Sequence, residues 1–119
     1  MCYNWYMERY KRTFFILGSF LIISLAYWIW REDYQKYTCE SEDNGASCAI
    51  LGITHEEHHE FERALKYFER SCSLEYSLGC FRYSLLLSKQ NRINEGLASM
   101  EKSCQLGYKE ACKQIKSEK

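Results

Sequence analysis

The chain has 119 residues, room for one small domain, and balances 16 Lys plus Arg against 16 Asp plus Glu. That balance speaks against nucleic acid as a partner, because nucleic-acid binders carry a clear basic excess. Proline is absent and cysteine occurs seven times, which points to a disulfide framework in an oxidising space or to a metal site in a reducing one.

The N-terminus decides between these. Residues 1–13 hold Arg9, Lys11 and Arg12 against one acid, Glu8. Phe14 to Trp30 then runs seventeen residues without a charge, closed by Arg31, Glu32 and Asp33. Seventeen residues is the lower limit for a helix that spans a bilayer. Tyr27, Trp28 and Trp30 stand at its outer end, where an aromatic belt belongs. Cations ahead of the span keep the N-terminus inside and send residues 31–119 outside. The expectation is a single-pass signal-anchor over 14–30 in the inner (plasma) membrane. The alternative is a secretory signal cut near Ala26, with Ser24 and Ala26 as the small residues before the cut. Either way the cysteines meet an oxidising compartment.

Beyond the membrane the chain repeats. Ala64-Leu65-Lys66-Tyr67-Phe68-Glu69-Arg70-Ser71-Cys72 returns 32 residues later as Gly96-Leu97-Ala98-Ser99-Met100-Glu101-Lys102-Ser103-Cys104. Cys80 likewise returns as Cys112. A fixed period of this size marks stacked supersecondary units. Residues 31–39 are expected to continue as helix, and Asp43-Asn44-Gly45 is a turn signal. A first A helix is expected from Ala46 to about Thr54, with Cys48, Leu51, Gly52 and His55 on one face. Phe61, Leu65, Phe68 and Cys72 are spaced 4, 3, 4, the stripe of an amphipathic B helix. Cys80, Tyr83, Ser84 and Leu87 mark a second A helix, and Ile93, Leu97, Met100 and Cys104 a second B helix. Ala111, Cys112 and Ile115 open a third A helix. The connections are Leu74-Glu75-Tyr76 and Leu106-Gly107-Tyr108. Small residues at Gly52 and Ser84, and at Ala64 and Gly96, let paired helices approach closely.

Six cysteines fall into three pairs: Cys39 with Cys48, Cys72 with Cys80, and Cys104 with Cys112. Spacing alone does not choose a connectivity. The repeat does, since each pair spans the end of a B helix and the start of the next A helix. Cys2, on the inner side, is left as a free thiol. Short zinc-knuckle spacings are absent from the sequence.

The pattern Ala/Gly-Leu-x-x-Phe/Met-Glu-Lys/Arg-Ser-Cys-x-Leu-x-Tyr-x-x-x-Cys resembles the Sel-one-like repeat in its cysteine-bridged form, that of the Helicobacter cysteine-rich protein family. The resemblance covers roughly residues 31–119. It implies an exported α-solenoid with one disulfide per repeat, acting as an adaptor or scaffold, or as a weak β-lactam-binding or β-lactamase-like protein. Where the family places glycines between A and B helices, this chain has Glu56–Phe61 and Ser88–Ile93.

Two constellations carry the residue types of catalysis. His55-Glu56-Glu57-His58-His59 fits H-E-x-x-H, which on one continuous helix places two zinc ligands beside a general base. The repeat register sets it in a turn instead, since His58 and His59 align with Gln90 and Asn91. Ser99-Met100-Glu101-Lys102 fits S-x-x-K, the nucleophile motif of serine β-lactamases. No S-D-N or K-T-G accompanies it in the sequence. The more promising surface is the A-helix face turned away from the B helices. Ile50, Arg82 and Gln114 share one level of it, and Thr54 and Leu86 the next. Leu85, Leu86 and Leu87 cannot all be core in one amphipathic helix, so at least one is expected outside.

The expected architecture is all-α: one transmembrane helix, then a short right-handed solenoid of about two and a half disulfide-stapled units over residues 31–119. The expected role is to bind another protein or peptide. No catalytic residue, metal or cofactor is assigned.

Overall fold

A computed structural model describes residues 2–118, with the backbone alone at Cys2. The free thiol expected at Cys2 therefore lies outside the described side chains. All secondary structure among the described residues is helical: α1 (Cys2–Ser41), α2 (Gly45–Glu57), α3 (Phe61–Ser73), α4 (Ser77–Lys89), α5 (Ile93–Gln105) and α6 (Lys109–Glu118). The chain divides into two compact units, Met1–Asp33 and Tyr34–Lys119.

The first unit is helix alone. Its side chains from Phe14 to Trp30 are almost all exposed. The most apolar window of α1 has mean hydropathy 1.9 and buries nothing. Among the described residues this is the one helix long and apolar enough to cross a membrane. A secretory signal has the same character.

In the second unit each helix packs on the next in sequence, and α2 also touches α4. The second pair repeats the first at the level of bounds: α4 starts and ends 32 residues after α2, and α5 does so after α3. The reason lies in the turns. Residues with left-handed backbone are Asp43, Glu75 and Gly107 after α1, α3 and α5, and His59 and Asn91 after α2 and α4. Each of these series is again spaced by 32. At four of the five turns the helix closes with the paired bonds of a Schellman cap. The amides of His59 and Glu60 reach the carbonyls of Glu56 (3.0 Å) and His55 (2.9 Å). Those of Asn91 and Arg92 reach Ser88 (3.2 Å) and Leu87 (3.0 Å). Glu75 and Tyr76 repeat this on Cys72 and Ser71, and Gly107 and Tyr108 on Cys104 and Ser103. The first turn holds one residue more, and there the Asn44 amide reaches back to Thr38 (3.2 Å). Asn44 then caps α2, its Oδ1 accepting from the amides of Ala46 (3.0 Å) and Ser47 (3.2 Å).

Only one of these five left-handed positions is glycine. A side chain there costs about 1 kcal/mol. Glu75→Gly, which copies Gly107 of the next turn, is therefore expected to raise stability by about 0.5–1 kcal/mol. Thermal unfolding of the full chain in neutral detergent reads it, and an unchanged or lower midpoint contradicts it.

Three disulfides join α1 to α2 (Cys39–Cys48), α3 to α4 (Cys72–Cys80) and α5 to α6 (Cys104–Cys112), with Cα separations of 4.8, 4.3 and 4.8 Å. The middle junction is the tightest because Gly79 lies on Ser71: a Cβ there would sit 2.0 Å from Ser71 Oγ. The Ser before each B-helix Cys has a structural task. Ser71 Oγ donates to Gly45 O (2.7 Å) and Ser103 Oγ to Ser77 O (2.8 Å), tying each B helix to the first residue of its own A helix.

The core has two parts. One joins Ala64, Leu65, Phe68, Leu86 and Leu87, with Ile53 and Tyr83 against it. The other joins Cys39, Cys48 and Leu51, with Tyr67 and Leu74 against it. The expected B-helix stripes are buried only in part. Leu65 is covered because Leu86 and Leu87 pack in its cluster. Leu97, its counterpart, is 42% exposed and Ile93 58%. The position in α6 that matches Leu86 is Glu118, which cannot cover them.

Candidate functional site

Of the five residues expected along the A-helix strip, four keep exposed or half-buried side chains. Ile50 is 46% exposed on α2, Thr54 and Arg82 are half-buried, and Gln114 is exposed on α6. Leu86 is the correction. It is 3% exposed and belongs to the core with Phe68 and Leu65. Leu85 is the half-buried member of the leucine triplet. The A helix α4 contacts α2, α3 and α5, so it has more than one buried face and the triplet could not be oriented by a single stripe.

Arg82 is also not a free cation. Its guanidinium lies 3.5 Å from Glu56 Oε2, and Lys89 Nζ lies 3.9 Å from Glu56 Oε1. Glu56 on α2 thus bridges two cations of α4. Glu56 and Lys89 were missed as members of this face. A cue existed in the repeat, since Glu56 aligns with Ser88, beside Lys89. Thr54 Oγ1 is turned inward on its own helix, donating to Ile50 O (3.0 Å). The polar and apolar groups open to solvent on this face are the Ile50 side chain, the Arg82–Glu56–Lys89 row and Gln114.

The histidine cluster does not assemble a metal site. Helix α2 ends at Glu57, and His59 takes the left-handed turn conformation. His55 and His59 therefore do not share a helical face. His55 instead stacks flat on Tyr67 (5.3 Å between centroids, 1° between planes), and its Nδ1 lies 2.6 Å from Glu60 Oε2. No group of three or more metal-ligating side chains is gathered among the described residues. Glu56, the would-be general base, is engaged by Arg82 and Lys89. Ser99 and Lys102 lie one turn apart on α5, both half-buried, and among the described residues no hydrogen bond joins them.

Charge around the A-to-B turns follows the repeat with its sign inverted. Glu60 pairs with Arg63 (3.4 Å) at the start of α3, and Arg92 pairs with Glu95 at the start of α5. The His55 hydrogen bond, aided by Arg63 and opposed by slight desolvation, holds the Glu60 carboxyl below its ordinary 4.5. A carboxylate depressed in the folded state contributes stability that is present above its unfolded pKa and is lost as pH falls through the folded value. The melting temperature is therefore expected to fall below about pH 4.5 less steeply in Glu60→Gln than in the wild-type chain. Parallel acid limbs in melting curves from pH 6 downward would remove Glu60 from that role. On the other face of α4, burial pushes the Tyr83 phenol up, with Glu69 adding to the effect.

A shallow open groove beside α3 is lined by Glu40, Lys66, Tyr67, Glu69, Arg70 and Ser73. Arg70 among them donates to Glu40 O (3.1 Å) and to Asp43 Oδ1 (3.0 Å). Set against protein-family models, curated proteins and solved structures, the chain matches none of them.

Proposed function

We propose that the chain is a membrane-anchored, exported adaptor: a short right-handed solenoid of the cysteine-bridged Sel-one-like type that holds another protein against its A-helix face. The observation that carries this is the recurrence of whole units at 32 residues, in helix bounds, left-handed turns, disulfides and Ser–carbonyl ties together. Stacked units of this kind present one extended face built from the same helix of each unit. Here that face carries Ile50, the Arg82–Glu56–Lys89 row and Gln114. The apolar run from Phe14 to Trp30 supplies the anchor, with the N-terminus inside and the repeats on the oxidising side, the periplasm of a Gram-negative cell.

A photo-crosslinker placed at Ile50 or Gln114 in the exported chain is expected to trap one discrete adduct. The same group at Lys66, on a B helix, is expected to trap none. Adducts at all three positions, or at none, would remove the A-helix face as the docking surface. Intact mass separates anchor from signal: retention of residues 1–26 supports the anchor, and a chain starting near Tyr27 replaces it with a secreted module.

A further inference from the structure

The stretch ahead of the apolar run is built unlike a bare topology signal. Spacings of 3, 4 and 4 place Tyr3, Tyr6, Tyr10 and Phe14 on one face of α1, and the Tyr10 and Phe14 rings stack at 6.3 Å. Spacings of 4 and 3 place Trp5, Arg9 and Arg12 on another, with the Arg9 guanidinium over the Trp5 ring at 4.4 Å. Trp5, Glu8, Arg9, Lys11 and Arg12 line one shallow surface. Every one of these aromatic side chains is exposed, Tyr6 at 74%.

Their depth is set by the helix. At about 1.5 Å per residue, Arg12 and Lys11 stand about 3–5 Å and Arg9 about 8 Å before the start of the apolar run. A headgroup layer is about 5–8 Å thick on each side of the hydrocarbon. The cations therefore fall at phosphate level. Three of them against the single acid Glu8 leave a net positive ring there. Tyr and Trp are the side chains that prefer this layer.

We propose that this segment is a binding collar for acidic phospholipid. Arg9, Lys11 and Arg12 hold phosphate-bearing headgroups, Tyr10 lies beside them at the same level, and Trp5 braces the Arg9 guanidinium from the aqueous side. The occupant is lipid because the collar runs without a break into the uncharged stretch, so any headgroup held there has its chains beside the same helix. The proposal rests on residues 14–30 being a membrane span.

The test uses the full chain in neutral detergent with equimolar phosphatidylglycerol and phosphatidylcholine, and native mass spectrometry reads the retained lipid. A cation near an acidic surface multiplies affinity about fivefold. Phosphatidylglycerol is therefore expected to be retained at least about fivefold over phosphatidylcholine. The preference should vanish in Arg9→Gln/Lys11→Gln/Arg12→Gln and survive in Lys66→Gln/Lys113→Gln/Lys116→Gln. Equal retention of the two lipids, or a preference that persists in the first variant, overturns the collar. Flotation on pure phosphatidylcholine vesicles tests the anchor by itself. A chain that floats without lipid preference keeps the anchor and loses the collar, and a chain that does not float loses both.

Discussion

Removing the Cys72–Cys80 bridge as the pair Cys72→Ala/Cys80→Ala is expected to cost at least about 2.6 kcal/mol, the value for closing a loop of about nine residues on the chain-entropy model. For a domain of this size that is a fall of roughly 10–20 °C in melting temperature. The three loops are nearly equal, with sequence separations of 9, 8 and 8. Loop entropy alone thus ranks the bridges together. Packing does not. Cys39, Cys48 and Cys80 are fully buried and Cys72 nearly so, and the first bridge forms a core cluster with Leu51. Cys104 and Cys112 are only half-buried. The first two bridges should therefore cost more than the third, by about 1 kcal/mol or more for the lost sulfur packing. Together the three approach the whole net stability of a small domain, about 5–15 kcal/mol, so full reduction is expected to unfold the repeats. Urea titration of the three paired variants in detergent gives the ranking. A third bridge that costs as much as the first two would leave entropy as the sole account.

Much of this fold is legible from one chain because the repeat supplies its own alignment. The offset of 32 places the turns, the cysteine pairs and the small residues without any relative. What it does not reveal is which residue types a turn requires. Asp43, His59, Glu75 and Asn91 take a left-handed conformation that a sequence reading assigns to glycine. At His59, Glu75 and Asn91 their own backbone bonds to the preceding helix enforce it, and at Asp43 the bond of the next residue, Asn44, to Thr38 does so. The A helices hide for another reason. A helix with several buried neighbours shows no single stripe, so Leu86 reads as surface when it is core. Arg82 reads as free because its partner Glu56 is 26 residues away in sequence, inside a motif suggestive of zinc. The apolar pattern of the second B helix is honest about period and misleading about burial, since Ile93 and Leu97 lack the cover that Leu86 and Leu87 give Leu65.

The repeat also contains a natural experiment in packing. At Gly52 a Cβ would lie 2.5 Å from two atoms of the Phe68 ring, and Phe68 is fully buried. One unit later the same two positions hold Ser84 and Met100, with Ser84 Oγ 3.6 Å from Met100 Sδ. A flat ring needs the bare glycine, whereas a thioether chain bends round a side chain. Gly52→Ser alone is therefore expected to destabilise by about 1–3 kcal/mol through overpacking. Phe68→Met alone leaves the space of a ring half filled and costs about 1 kcal/mol or more. The double variant recreates the second unit, including a hydroxyl able to donate to Ala49 O as Ser84 does to Phe81 O (2.6 Å). It should be more stable than the sum of the single losses by at least about 1 kcal/mol, well beyond the ~0.3–0.5 kcal/mol scatter of independent sites. Additive losses would mean that the backbone moves to relieve Gly52→Ser, and that Gly52 and Phe68 do not set the helix separation in the first unit.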